Sequence, residues 1–356
     1  MTINFTKNKQ KVVVAMSGGV DSSVAAAILK EQGHDLIGIT MNLACVENAS
    51  DRSCCSLAAA RDAAVVADKL GFPHYTLNLK DDFRRLVIEN FIDEYRRGRT
   101  PNPCIRCNQL IKFDQLLKKA KELRADLIAT GHYARIQKLR LLKGKDAKKD
   151  QSYVLYRLDQ EQLAHVIFPL GEMTKSEVRG RARELKLPVA DKEESQEICF
   201  VENDDYVSFL KKEAPELVKP GEIVDITGKI VGQHEGIAFY TIGQRKGVGA
   251  HRGEPKYVIR IDPEKNTVII GDDPDTLKGE LLAEGVTFIS GNILQKPLAV
   301  TAKIRYNSPE AEAVVSPLAG DKVKVEFKQP QRAITPGQSV VFYQGEEVIG
   351  GGIISQ

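Results

Sequence analysis

No run of about 18 apolar residues occurs in this 356-residue chain, so no membrane-spanning helix is expected. Cysteine is scarce. Six thiols in 356 residues cannot staple a disulfide scaffold, and in a reducing compartment such cysteines serve catalysis, metal binding or packing. A large charge excess is also missing: Lys+Arg number 51 and Asp+Glu 48, a net charge of +3, so any nucleic-acid footprint must be local. With 42% hydrophobic and 28% charged residues, a disordered or collagen-like chain is excluded. Met1–Gln10 is polar, with no apolar signal core, and is too short for a transit peptide, so a cytoplasmic protein is expected. No internal repeat is visible.

The length fits two or three domains of about 100–200 residues each. Lys11–Ala15 (KVVVA) reads as a buried strand, Ser22–Gln32 as a helix ended by Gly33, and Asp35–Met41 as a second strand. Ser56–Leu70 reads as an Ala-rich helix stopped by Gly71, and His74–Leu79 as a third strand. Further helices are expected over Asp82–Tyr95 and Ile111–Leu123, with a strand at Asp126–Thr130. Strand and helix alternating in this way make βαβ units and a mostly parallel sheet, hence an α/β class. Leu139–Asp150 reads as a basic, mobile loop, followed by a helical stretch through Leu185. From Gly221 onward short alternating strands take over: Lys256–Asp262, Thr267–Gly271, Ala299–Tyr306, Lys322–Phe327 and Ser339–Tyr343. Their even spacing with Gly and Pro turns predicts barrels. Boundaries near residues 205 and 281 divide the chain into 1–205, 206–280 and 281–356.

The sharpest motif is AMSGGVDSS, Ala15–Ser23, between the first strand and the first helix. Gly18 and Gly19 permit backbone conformations closed to other residues and allow a ligand close approach. Ser17, Ser22 and Ser23 offer hydroxyls, and the helix start offers free N–H groups and a positive dipole end to an anion. The Walker pattern, with its G-x-x-x-x-G-K spacing, does not fit. SGG-x-DS instead resembles the pyrophosphate loop of the N-type ATP pyrophosphatases, which split ATP to AMP and pyrophosphate while adenylating a substrate oxygen. That resemblance implies ATP at the loop and Mg²⁺ near Asp21.

The second motif is RTPNPCIRCNQLIKF, Arg99–Phe113. Two prolines flank Asn102, which predicts an extended backbone through Cys104 and Cys107, with a helix beginning only at Ile111. Arg96, Arg97, Arg99, Arg106 and Lys112 crowd the segment, and cations together with a helix N-terminus favour a reactive thiolate. A structural zinc site would need a second pair, which the adjacent Cys54 and Cys55 supply poorly. Those two read as helix-start or packing residues, and Cys45 has no supporting context. Cys199 stands in EESQEICFV after a Pro-containing break. His132 in GHYAR follows a strand, where a substrate contact and a structural histidine are equally open.

The full set of blocks resembles the bacterial-type tRNA-specific 2-thiouridylases over essentially the whole chain. AMSGGVDSS, RTPNPCIRCNQLIKFD, ATGHYAR (Ala129–Arg135), KDQSYVL (Lys149–Leu155), SQEICF (Ser195–Phe200), YTIGQRKGVG (Tyr240–Gly249) and TPGQSVVFY (Thr335–Tyr343) stand in family order. The fold this implies is a Rossmann-like pyrophosphatase domain, a small mainly β central domain and a C-terminal β-barrel. Ala15, Met16, Ser17, Gly18, Gly19, Val20, Asp21 and Ser22 would bind the ATP phosphates, and Met41 and Gly131 the adenosine. Cys107 takes the nucleophile position and Cys199 that of the persulfide carrier. Asn102, Pro103 and Cys104 would face the target base, while Lys149, Asp150, Gln151, Arg305 and Tyr306 would touch tRNA. The implied partners are the anticodon regions of Lys, Glu and Gln tRNAs and a sulfur-donor protein, with no membrane.

Elementary chemistry agrees with that reading. The 2-oxo group of uridine leaves poorly as hydroxide and well as AMP, which gives ATP its purpose. A cysteine persulfide is a soft sulfur nucleophile that a second cysteine can resolve by disulfide formation. The basic stretches Arg84–Arg99 and Lys138–Lys149 can neutralise tRNA phosphates. One departure stands out: many relatives carry Asp where this chain has Cys104. Cys104, Cys107 and Cys199 therefore suggest a second route, a [4Fe–4S] cluster held by three thiolates with sulfide on the open iron. An ATP-dependent amidating ligase of the same loop superfamily is the alternative function, and a non-catalytic tRNA-binding or cluster-carrying protein a third. Neither of these needs an ATP loop together with paired cysteines.

Overall fold

The computed structural model describes residues 9–43, 57–193, 198–248 and 255–355. Cys45, Cys54 and Cys55 lie outside the described residues, as do Ser195–Glu197 and Gly249 of the family-like blocks. The chain divides into two compact units. One holds the described chain up to Leu86 together with Cys104–Asn203; the other holds Val87–Pro103 and the described chain from Asp204 on.

The first unit is built on a five-stranded parallel sheet. Its elements are β1 (Lys11–Ala15), α1 (Val20–Glu31), β2 (Asp35–Asn42), α2 (Leu57–Leu70), β3 (His74–Asn78) and β4 (Leu127–Ala129). A hairpin, β5 (Ala134–Gln137) and β6 (Arg140–Lys143), precedes β7 (Val166–Ile167). The strand order is β3-β2-β1-β4-β7, and every neighbouring pair is parallel. Val12, Val13 and Val14 are all fully buried, because β1 is central and covered on both faces. Val12 and Val14 join the core that α1, α2 and the helix Lys175–Glu184 close over one face; Val13 points to the other. Chain order and strand order reverse between β1 and β4, and such a sheet opens its ligand crevice at the carboxyl ends of those two strands.

In the second unit, β8 (Gly221–Asp225), β9 (Ile230–His234), β10 (Tyr257–Asp262) and β11 (Thr267–Gly271) form a four-stranded sheet in the order β10-β11-β8-β9. Six antiparallel strands follow: β12 (Leu277–Phe288), β13 (Leu298–Lys303), β14 (Ala311–Pro317), β15 (Val323–Arg332), β16 (Ser339–Gln344) and β17 (Glu347–Ile354). They run β12-β15-β14-β13-β16-β17, and β17 pairs back onto β12, so the barrel closes. Closure removes the exposed strand edges that a free sheet would present.

Three expectations need correction. The helix after the second motif begins at Pro103, not Ile111 (Pro103–Arg106, Cys107–Gln115 and Leu116–Glu122 run on continuously), because proline is pre-organised for the first helical position. Its middle, Cys107–Gln115, is a π-helical turn. Leu139–Asp150 is not simply a loop: Arg140–Lys143 pairs with Ala134–Gln137 around Lys138 and Leu139, both at positive φ, as a two-residue hairpin turn demands. The stretch expected to be helical through Leu185 contains β7, whose two apolar residues are too few to register as a strand by periodicity.

Candidate active site

The glycine loop spans the turn from β1 into α1, at the switch point of the sheet. Gly18 adopts φ +66°, and a Cβ there would stand 2.2 Å from the Ala59 carbonyl oxygen, so this position accepts only glycine. The Ser17 N–H donates to Ser22 Oγ at 3.2 Å, and Ser22 Oγ and Ser23 Oγ donate to the Gly19 carbonyl at 3.3 and 2.8 Å. These bonds fold the loop over the start of α1, whose first N–H groups have no carbonyl one turn earlier to bind. Ala15, Met16 and Val20 are buried side chains that offer the loop only backbone. The Met16 carbonyl is pinned by Thr40 Oγ1 at 2.8 Å, and Thr40 in turn meets His74 Nε2 at 2.8 Å.

Gly131 belongs to the same place. A Cβ on it would lie 2.8 Å from both Asp21 C and Ser22 N, so it lets the chain after β4 pass directly against the first turn of α1. Met41 is buried near the end of β2. Three residues that sequence reasoning did not select complete the loop's surroundings. Lys175 Nζ donates to both Asp21 carboxylate oxygens, at 2.7 and 2.8 Å, and Tyr133 Oη donates to Asp21 Oδ1 at 2.7 Å. Lys192 Nζ donates to the Gly18 carbonyl at 3.1 Å and pairs with Asp62 at 2.5 Å. The phrase Thr174-Lys175-x-Glu177 was a readable capping box, and it sets Lys175 at the first position of its helix.

The thiols sit on different supports. Cys104 is exposed and Cys107 buried in the helix that starts at Pro103, and Cys199 is half-buried. Cys104 lies in the first turn of that helix, at its positive dipole end, and Cys107 lies one turn further on. Segment 80–86 touches both elements: Arg106 Nε donates to the Leu86 carbonyl at 3.0 Å, and Phe83 packs edge-on against Phe200, next to Cys199, at 5.7 Å. Asn108, beside Cys107, is buried and donates to the Val154 carbonyl at 3.1 Å. Among the described residues no group of three or more His, Cys, Asp or Glu side chains is placed to hold a metal ion. The three thiols therefore do not fit a cluster site here.

The remaining expected contacts are dispersed. Asn102 and Pro103 end the first segment of the second unit, and Cys104 opens the second segment of the first. The Asp150 carboxylate accepts from the Gly144 and Ser152 N–H groups at 2.9 and 3.1 Å, and Gln151 Oε1 accepts from the Tyr133 N–H at 3.0 Å. These two side chains brace the segment beside Lys149. In the second unit Arg305 Nη2 donates to the Ile242 and Ala333 carbonyls, both at 2.9 Å, and to Thr335 Oγ1, and Lys303 lies over the Tyr306 ring. In the first basic stretch, Arg85, Arg96, Arg97 and Arg99 each face a carboxylate, which spends much of its positive charge internally. His132 is fully enclosed by Phe113 and Phe168 and bonded to Thr130 Oγ1 at 2.7 Å. Burial, with Lys112 nearby, holds its pKa well below the usual histidine value, so the imidazole is neutral.

Comparison with known proteins converges on one family. Residues 10–203 match the tRNA methyl transferase HUP domain, 207–272 the tRNA methyl transferase PRC-barrel domain and 278–354 the aminomethyltransferase beta-barrel domain. The chain is 55% identical to tRNA-specific 2-thiouridylase MnmA 1 of Caldanaerobacter subterraneus subsp. tengcongensis, across 97% of this chain and 98% of that protein. It is 52% identical to the tRNA-specific 2-thiouridylase MnmA of Acetivibrio thermocellus, across 98% and 99%. Against that of Clostridium perfringens it is 50% identical, across 97% and 98%. Identity at this level, over nearly the whole length of both proteins, shows that the chain belongs to the tRNA-specific 2-thiouridylase family.

Proposed function

We propose that this protein is an ATP-dependent tRNA-uridine 2-sulfurtransferase acting on the wobble uridine. The observation that carries this reading is 55% identity to a 2-thiouridylase over 97% of the chain. The loop geometry supports it: an anion-ready helix start beside a glycine at φ +66° suits the phosphates of a nucleotide. In the first step uridine O2 attacks the α-phosphorus of ATP, the bond to the bridging oxygen breaks, and pyrophosphate leaves. Mg²⁺ would arrive with the phosphates, where it neutralises charge, and Asp21 is the carboxylate nearest the loop. One carboxylate suffices for an ion that keeps phosphate and water ligands.

In the second step the terminal sulfur of a persulfide on Cys199 adds to C2, and AMP leaves. The Cys107 thiolate then attacks the inner sulfur, breaking the S–S bond. The thiocarbonyl remains on the base, and a Cys107–Cys199 disulfide forms that an external dithiol reduces. A donor protein recharges Cys199, and tRNAs for Lys, Glu and Gln are the expected substrates. The test is ATP-dependent transfer of labelled sulfur into unmodified tRNA by anaerobically purified protein. Wild type should label the tRNA, while Cys107→Ala and Cys199→Ala should lose all but a trace. Activity that survives both substitutions would overturn the thiol chemistry and favour an amidating ligase. Cys104→Ala should retain activity on this route, and its complete loss would instead demand a role for the third thiol.

A further inference from the structure

Two lysines far from the glycine loop in sequence reach it from opposite flanks. Lys192 Nζ lies 3.1 Å from the Gly18 carbonyl at the turn itself, and Lys175 Nζ lies 2.7 Å from Asp21 in the first turn of α1. Neither ammonium is loose. The Lys175 side chain is only 12% exposed, spans both oxygens of Asp21 and stands over the Tyr133 ring; Lys192 is held by Asp62 of α2. Each cation is therefore held at the mouth of an anion-shaped loop by a carboxylate of weaker claim than a polyphosphate. We propose that Lys175 and Lys192 form a two-sided clamp on the pyrophosphate half of ATP, an inference that rests on the ATP-dependent reading above.

The chemistry gives the clamp its purpose. When uridine O2 displaces pyrophosphate, negative charge grows on the oxygen bridging the α- and β-phosphates. The α1 N-terminus supplies only about half a positive charge. Two ammonium groups that have already turned onto the bound phosphates stabilise that growing charge and need no further reorganisation at the moment of reaction. Asp21 and Asp62 keep both cations positioned and neutralised before the nucleotide arrives. Lysine suits this role as a compact cation that can move from a carboxylate to a phosphate oxygen.

The test uses the full chain and three probes: α,β-methylene-ATP with Mg²⁺, inorganic pyrophosphate, and AMP, each titrated calorimetrically. Lys175→Met and Lys192→Met should each weaken the ATP analogue and pyrophosphate by about 10- to 100-fold, the range of one lost charged hydrogen bond. AMP affinity should not change, and Lys→Arg at either position should restore most of the lost binding. Met variants that bind the analogue and pyrophosphate as wild type does would overturn the clamp while leaving the ATP reading intact. A parallel loss of AMP binding, or a loss that Arg fails to rescue, would also overturn it, since the lysines would then be scaffolding. A wild-type protein that binds none of the three would sink the ATP reading itself.

Discussion

Gly18 shows how much a single position can decide. A side chain there faces both a left-handed backbone conformation and a carbonyl oxygen 2.2 Å away. Gly18→Ala should cost at least about 1–3 kcal/mol by denaturant titration and abolish binding of the ATP analogue. His132 allows a pH prediction. Its folded pKa is depressed by burial, and those of His74 and His234 are lowered for the same reason. Below the unfolded value of about 6.5 the unfolded chain takes up protons that the folded chain refuses, so stability falls as pH falls. For the enclosed His132 the loss should approach about 1.4 kcal/mol per pH unit, and His132→Asn should flatten the slope of the denaturation midpoint between pH 7 and pH 5. The glycine loop was legible because its residue types have no other use at a strand–helix junction. Lys175 and Lys192 were not, because nothing in a linear sequence says which of 51 basic residues folds back onto that loop.

Elements were read correctly where periodicity and punctuation agreed. β1, α1 and β2 lie within two residues of their expected bounds, since Val-rich runs and Gly33 leave little choice. The cysteine helix was misjudged because the Pro-x-Pro pattern restricts the residues before each proline yet leaves the second proline free to open a helix. That shift moves Cys104 and Cys107 from a stiff loop into the first turns of a helix, with Cys104 exposed and Cys107 buried. The helix Lys175–Glu184 carries a prediction of its own. Thr174 Oγ1 accepts from the Glu177 N–H, and Glu177 Oε2 accepts from the Thr174 N–H at 2.6 Å. Thr174→Ala should cost about 1 kcal/mol in thermal unfolding. It should also weaken the ATP analogue several-fold, because Lys175 is the next residue, while Ser substitution should preserve both.

At the scale of the molecule, the unexpected feature is that Val87–Pro103 leaves its sequence neighbours and packs within the second unit. Arg99 anchors it, with Nε 2.7 Å from Glu94 Oε2 and Nη1 2.8 Å from Glu284 Oε1 in β12. The Thr100 N–H donates to the Pro336 carbonyl at 2.8 Å, and Gln338 Nε2 donates to the Thr100 carbonyl at 2.9 Å. Glu94 is nearly enclosed, so Arg99→Ala would leave its carboxylate with only the exposed Arg97 guanidinium, 3.9 Å away. Breaking a buried pair costs about 3–5 kcal/mol; with Glu284 partly exposed, about 2–4 kcal/mol is expected, read as a lower thermal midpoint. Closure of the barrel can be tested at its seam. A Cβ on Gly350 would meet the Thr287 carbonyl 2.3 Å away. Gly350→Val should part β12 from β17 and expose both edges to limited proteolysis, whereas Gly279→Ala, in open space on β12, should leave the cleavage pattern nearly unchanged.

The α/β character of the first half, the glycine loop and the cysteine pair were determined by the sequence alone. Each rests on local physics: the period of apolar residues, the freedom of glycine, and the spacing of thiols. Tertiary structure alone decided what surrounds them. It brought Lys175, Lys192 and Tyr133 to the loop, set His132 in a dry pocket, turned Arg305 toward backbone carbonyls and laid residues 99–101 along the barrel. These are contacts between residues tens to hundreds of positions apart. They form only when burial of several apolar faces at once repays the entropy of closing the chain, and no window of neighbouring residues records that balance.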